Sequence, residues 1–266
     1  MIIPNQPESD YHAHPAISKS GLWKLYTETP FHFRNRLVTP SKAMDLGSAV
    51  HMAVLEPERF ETECMRGPED RRGNKWKDAA QYCDAYGKLL VTGPDYDKAR
   101  YMRDAALTVP TVRALTSGGQ QVEHSAYWVD PETGVECRGR LDIYHPDLSM
   151  GGDLKTTADA SREKWSKSAA DYGYHVQEAM YSEGWELAGG GKMDAFVFIL
   201  IESEFPFATA VYELVPSAVM EGRAVMRKAL HQYRDCFAAN HWPSYPQEIQ
   251  QLDIPRWGYK ETLTNS

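Results

Sequence analysis

Apolar residues recur along the chain in two rhythms, and the change between them divides it. Up to about residue 115 the spacing is helical. Ser18 is placed to cap a helix running through Gly21-Leu-Trp-Lys-Leu-Tyr26, which must end before Pro30. A second helix is expected from Met44 to Leu55, stopping before Pro57. Trp, Tyr, Leu and Ala at three- and four-residue intervals predict helices over Lys75–Leu90 and Tyr96–Leu107. The exposed basic loop RGPEDRRGNKWK leads into the first of these.

Alternation then takes over. Val122–Val129 and Val135–Tyr144 flank the turn Asp130-Pro-Glu-Thr-Gly134 and read as a hairpin, with a third strand expected over Gly152–Thr156. A long helix from Tyr172 to Leu187 is closed by Gly189-Gly-Gly191. Asp194–Ile201 reads as a buried strand with Ala208–Leu214 beside it, and Pro216 opens a helix to about Phe237. The segment HWPSYPQEIQQLDIPRW reads as extended. This order predicts an α/β (α+β) architecture, a central mixed sheet flanked by helices with a helical N-terminal elaboration. The expected organisation is one domain over 1–266, with 1–115 helical, 116–240 the core and 241–266 an extended tail.

Composition narrows the picture. With 42% hydrophobic and 25% charged residues the 266-residue chain is globular, not disordered, and can bury a sizeable core. Its formal charge of −8 excludes a uniformly basic domain held to nucleic acid by charge alone. No apolar run approaches the roughly 18 residues of a membrane span, and no leader pattern opens the chain, so the expectation is a cytoplasmic protein with no membrane partner. Cys64, Cys83, Cys137 and Cys236 contain no CxxC pair, which disfavours a zinc knuckle and leaves an iron–sulfur cluster without support. They read as reduced packing residues.

The chemistry concentrates in Arg138-Gly-Arg-Leu-Asp142, ten intervening residues, and Asp153-Leu-Lys155. Asp153 and Lys155 are two apart, so on a strand they share a face. Two carboxylates and an ammonium suit a hard divalent cation, with the lysine orienting or deprotonating water or balancing charge on a phosphate. The residues alone equally allow a pair of salt bridges beside a turn. For His51 they suggest a satisfied core histidine, and for Glu123 a solvated strand residue. Arg138 and Arg140 alternate with Asp142, and either contact phosphates or pair with Glu136 or Asp147. Tyr174, Gln177 and Tyr181 share one helix face, where a central glutamine needs polar partners. Trp76, Trp128 and Trp165 could stack on unpaired bases but fit core packing better.

Asp142…Asp153-Leu-Lys155 resembles the PD-(D/E)xK nuclease signature, and the surroundings resemble the exodeoxyribonuclease VIII (RecE-type) branch. The similarity runs in order through Ile17-Ser-Lys-Ser-Gly21, Leu46-Gly-Ser-Ala-Val-His51 to Pro57, Glu123-His-Ser-Ala-Tyr-Trp128, Asp153-Leu-Lys-Thr-Thr-Ala158, Tyr174-His-Val-Gln177 to Tyr181, and the Trp242-Pro243…Pro255-Arg-Trp257 tail. Leu141 stands where the signature has proline. The resemblance implies Mg2+ (Mn2+ as substitute) held by His51, Asp142, Asp153 and the Leu154 carbonyl, with Glu123 nearby. Asp142, Asp153, Lys155, Gln177 and Tyr181 are the implied catalytic set. Arg138, Arg140 and Tyr174, with Arg71, Arg72 and Lys75 of the basic loop, are the expected DNA contacts.

The implied activity is exonucleolytic digestion of one strand of duplex DNA, 5′ to 3′ from an end, leaving a 3′ single strand. A RecT-type single-strand annealing recombinase is the implied partner, and a ring-like homo-oligomer the implied assembly. The alternatives are another nuclease of this fold (RecB- or Cas4-like) or a non-catalytic DNA-binding subunit. On this reading the acidity is an average. Lys19–Lys42 carries a net +4, Arg66–Lys77 +3 and Arg138–Lys167 +1, leaving −16 elsewhere. These three segments are expected to converge on the site.

Overall fold

A computed structural model describes residues 1–36 and 42–259, with side chains in the second segment from residue 45 onward. The elements in chain order are β1 (Ile2–Ile3), α1 (Glu8–Ala13), β2 (Ile17–Ser18), α2 (Lys19–Thr27), α3 (Pro30–Arg34), α4 (Lys42–Leu55), α5 (Pro57–Glu63), β3 (Cys64–Arg66), α6 (Gly73–Tyr86), β4 (Leu89–Val91), α7 (Gly93–Ala106) and α8 (Pro110–Leu115). The sheet strands β5 (Gln121–Val129), β6 (Glu136–His145) and β7 (Met150–Thr157) follow, then α9 (Arg162–Asp171), α10 (Tyr174–Leu187), β8 (Ala195–Glu202), β9 (Thr209–Glu213) and α11 (Pro216–Ala238).

Ser18 caps α2 as its position predicts, its hydroxyl accepting from the Gly21 N–H at 3.4 Å. Two helix boundaries differ from expectation. The helix over 75–90 ends at Tyr86, where Gly87 takes the left-handed conformation, and Leu89–Val91 instead forms a short parallel sheet with β3. The helix expected from Tyr172 is preceded by α9 and broken at Gly173 (φ +65°). A Cβ there would lie 2.5 Å from the Trp23 indole, so glycine is required by both the turn and the close approach of α2. The described part of the tail is extended apart from a 3-10 turn at Arg256–Gly258. Its residues 260–266 lie outside the described residues.

The central sheet is mixed, in the order β1-β5-β6-β7-β8-β9; β7 and β8 are parallel and the other neighbours in that order are antiparallel. Its core is a two-sided one. Val197, Ile199 and Ile201 of β8 pack with α4 and α7, through Val50, Ala53 and Met102, while Phe196, Phe198 and Leu200 face Trp165 and Trp185 on α9 and α10. That explains why β8 reads as a continuous apolar run: it is covered on both faces. The four cysteines are free and buried.

The sheet forks at one point, and the fork positions the site. β7 pairs with β6 only where Met150–Gly152 lies against Ile143–His145. Farther back, β2 pairs with Cys137 and Arg138 on that same edge of β6. Among the described residues, Gly139–Asp142 therefore has no strand partner on this side.

Among the described residues, helix α10 also buries an acid away from any cation. Glu178 is buried, one carboxylate oxygen lacks a partner among the described residues, and burial together with Glu213 pushes its pKa up to about 8. The folded state thus holds a proton that the unfolded chain releases near 4.5, so stability declines as pH rises from about 4.5 through 8. Glu178→Gln is expected to melt higher than the parent near pH 9, by on the order of 3 °C or more, with the gap closing toward pH 4 in paired thermal melts.

Candidate active site

At the fork a side chain replaces the missing strand. Asp142 Oδ2 accepts the Leu154 N–H at 2.7 Å, so a carboxylate takes the place a β6 carbonyl would fill in a continued ladder. Asp153, almost fully buried, is bracketed by Gln177 Nε2 on one oxygen and Lys155 Nζ on the other. The glutamine at the centre of the α10 face finds its polar partner here. Lys155 also lies 5.5 Å from the Tyr174 ring centre. Tyr181 packs over Gly139 of β6, where a Cβ would come within 3.1 Å of its ring.

His51 reaches the fork from α4, its Nδ1 3.5 Å from Asp142 and 3.9 Å from Glu123. One ligand atom from each of His51, Glu123 and Asp142 lies within 4.8 Å of the others. Glu123 sits in β5 with φ +53°, a left-handed residue interrupting the strand beside this cluster. Two hard carboxylate oxygens and an imidazole nitrogen suit a divalent metal ion. Asp153, expected beside Asp142 in the ligand set, is not one of these three and is contacted by Gln177 and Lys155. The Leu154 side chain is in the core.

Charge is crowded in this space. Burial pushes Asp142 up to about 7, with Asp153 adding to the effect and His51 and Lys155 opposing it. Burial would lower the His51 pKa, yet Asp142 and Glu123 outweigh it and raise it to about 9. Lys155 is likewise raised, because Asp153 and Asp142 outweigh its desolvation.

Other expected contacts distribute unevenly. Arg138 is buried, its guanidinium donating to the carbonyls of Tyr11 and His14, so it cannot reach a phosphate; this corrects the expectation from strand alternation. Arg140 lines the cleft but donates to Ser125 Oγ and the Gln6 carbonyl. The cause in both cases is residues 1–14, which add β1 to β5 and lay α1 across this face. In the basic loop Arg71 pairs with Asp45, Arg72 with Asp70 and Arg66 with Asp97, and Lys75 is exposed. None of them lines the two cavities at the fork. The expected convergence therefore holds for the 19–42 and 138–167 segments through Lys19, Lys24, Arg140 and Lys155, and not for 66–77. Trp165 stacks on Tyr174, Trp128 packs against Gly184 and Trp76 lies under Arg71, all packing roles.

Lys19, within the Ile17–Gly21 motif of the resemblance, has no expected role of its own, yet it is buried beside the site. Its Nζ donates to the Tyr172 carbonyl at 2.6 Å, and burial with the nearby Lys155 lowers its pKa to about 8.

A mixed sheet that forks at an aspartate, with Asp-x-Lys on the next strand and a glutamine-bearing helix over it, defines a domain with the fold and signature residues of a PD-(D/E)xK nuclease. Residues 21–254 match the family described as a PDDEXK-like domain of unknown function (DUF3799), and the chain belongs to that family. No curated protein matches its sequence. Among solved structures it resembles a candidate exonuclease from Eubacterium rectale, at 15% identity and a TM-score of 0.66 over 97% of this chain and 99% of that one. A phage-related exonuclease from Haemophilus somnus 129PT covers 87% of this chain and 99% of its own at 15% identity, with a TM-score of 0.35, a likeness too remote to bear on function. Among the described residues no helix is long and apolar enough to cross a membrane.

Proposed function

We propose that the protein is a divalent-metal-dependent exodeoxyribonuclease of the RecE type, which digests one strand of duplex DNA 5′ to 3′ from an end. The observation that carries this reading is the buried pair Asp142 and Asp153, one tied to the Leu154 N–H and the other held between Gln177 and Lys155. His51, Glu123 and Asp142 would hold the metal ion, with Asp153 across the fork. Bound there, a divalent ion such as Mg2+ would polarise a phosphate and acidify water.

The chain's own groups supply the rest. Gln177 fixes the Asp153 carboxylate, and Lys155, kept protonated by the two aspartates, balances the negative charge that grows on the phosphate; its raised pKa makes it a poor general base. Tyr181, whose pKa burial raises well above 10, stays a neutral hydroxyl. The same reading carries two further proposals: the 3′ single strand passes to a RecT-type annealing protein, and copies of the chain assemble as a ring around DNA.

Incubating the protein with linear and closed-circular duplex, in Mg2+, Mn2+ or EDTA, tests the reading. Loss of linear DNA alone, abolished by EDTA and by Asp153→Ala, is expected. Nicked circles would show an endonuclease instead, and intact DNA under every condition would leave a non-catalytic binding subunit. Strand-specific end labels on the linear substrate report the polarity.

A further inference from the structure

The group His51, Glu123 and Asp142 faces a cavity of about 930 Å³ that Lys155 also lines, so a scissile phosphate has to enter there. Part of the cavity wall comes from α4 and α5. Another part is the N-terminal arm, through Asn5, Gln6, Pro7, Glu8, Tyr11 and His12. Residues 1–18 include Glu8 and Asp10, two histidines and no lysine or arginine. Such a segment offers entering phosphodiesters no fixed positive charge. It also occupies Arg138 and Arg140, the two arginines that precede Asp142 at alternate positions of β6.

The arm is held in its middle by those arginines. The centre of the Tyr11 ring lies 4.7 Å from the Arg138 guanidinium and 4.4 Å from that of Arg140. Arg140 donates to the Gln6 carbonyl at 3.0 Å and to the Ser125 hydroxyl at 3.1 Å, while Arg138 donates to the carbonyls of Tyr11 and His14. Arg138 Nε is buried without a partner among the described residues. Both cations thus bond neutral acceptors, and a bond to an ionised oxygen is roughly twice as strong. A phosphate at Arg140 therefore outcompetes the Gln6 carbonyl. The apolar anchorage of the arm is small. Tyr11, Ala16 and Tyr127, with Ile3 against them, form a cluster apart from the three larger ones. Segments with so few buried apolar contacts open at a small part of the global unfolding free energy. Both ends stay tied to the sheet, Ile2–Ile3 on β5 and Ile17–Ser18 on β6.

We propose that residues 5–14 are an autoinhibitory strap, anchored at β1 and β2 and latched by the Tyr11 ring on Arg138 and Arg140. The strap closes the cavity in the DNA-free protein. It bows outward when the backbone of an entering DNA strand takes Arg140 from the Gln6 carbonyl. The proposal rests on the nuclease reading and adds to it a closed resting state. Affinity for DNA is then the affinity of the open form multiplied by the fraction of molecules that are open.

Hydrogen–deuterium exchange of the full chain, alone and with a short linear duplex DNA in Ca2+, reads the motion directly. Peptides within residues 5–14 should exchange faster when DNA is bound, while those of β5 and β6 should not. Anisotropy of the same duplex, labelled with fluorescein, reads the affinity well below the melting transition. Tyr11→Ala releases the latch and is expected to tighten binding by roughly 3- to 30-fold, up to the inverse of the parent's open fraction. Tyr11→Phe keeps the ring and should bind as the parent does. The exchange measurement needs only the parent, so it decides the matter even where Tyr11→Ala does not fold. Hydrolysis of linear duplex in Mg2+ by the parent is measured in parallel. A parent that cleaves DNA while its strap peptides exchange no faster on binding overturns the strap and leaves the nuclease reading standing. So does a folded Tyr11→Ala that binds no more tightly than the parent. A parent that neither binds nor cleaves DNA overturns both.

Discussion

Lys155→Met is expected to lower the rate of DNA hydrolysis by roughly 10²- to 10⁴-fold, the range that removal of one positioned charge or proton-transfer group spans. Methionine keeps the volume and loses only the ammonium. The loss should fall on kcat with little change in substrate affinity, because the lysine faces the reacting centre from between the two cavities and three-quarters of it is buried. Stability will fall as well. Asp153 would be left buried and held by Gln177 alone, without the ammonium beside it, so the variant should melt lower by on the order of 5 °C. Activity is therefore compared well below that transition, per folded molecule. A rate within about threefold of the parent would remove Lys155 from the chemistry.

Metal binding should strengthen steeply with pH, by about tenfold per pH unit for each proton displaced. Without metal His51 is held charged up to about 9 and Asp142 holds a proton up to about 7. Lone pairs on both must be freed before they can bind a cation. Between about 7 and 9 metal binding displaces one proton, from His51, and below about 7 a second, from Asp142, so the slope doubles on the acid side. Calorimetric titration with Mn2+ in buffers of different ionisation enthalpy counts those protons, and a flat affinity across this range would contradict the assignment. Asp142→Asn should cost more than the roughly 10- to 100-fold that losing a ligand's hydrogen-bond partner costs. His51→Ala should flatten the slope between about 7 and 9, which a merely structural histidine would not do.

These two results depend on different layers of information. Lys155 and Asp153 were legible because a strand's period of two forces residues two apart onto one face, whatever surrounds them. Gln177 was legible for a related reason: an amide in the middle of a helix face needs a partner, and Asp153 is that partner. His51 had no such signal of its own. One histidine on an apolar helix is compatible with ordinary packing, and only the docking of α4 beside β5 and β6 brings it to Glu123 and Asp142.

Where expectation and structure part, a long-range contact outweighed a local pattern. Alternation put Arg138 and Arg140 on the side of Asp142, but fourteen residues at the start of the chain supply carbonyls that occupy both guanidinium groups. β1 and β2, each two residues long, are below the length at which any periodicity can be read. Leu89–Val91 continued a helical spacing until Gly87 ended it and β3 offered a partner. The basic loop kept its exposure and lost its expected role, because acidic neighbours pair with Arg66, Arg71 and Arg72 outside both cavities.

The sequence by itself determined most of the elements, the burial of β8, the shared face of Asp153 and Lys155, and the need of Gln177 for a partner. All of these follow from geometry within one strand or helix, which propensity and periodicity encode directly. Tertiary structure alone decided that β6 and β7 separate after three residue pairs, that Asp142 fills the gap by binding Leu154, and that His51, Glu123, Lys19 and Tyr172 gather around it. Such meetings are set by strand register and helix docking between segments distant in the chain, and no local pattern of side chains contains them.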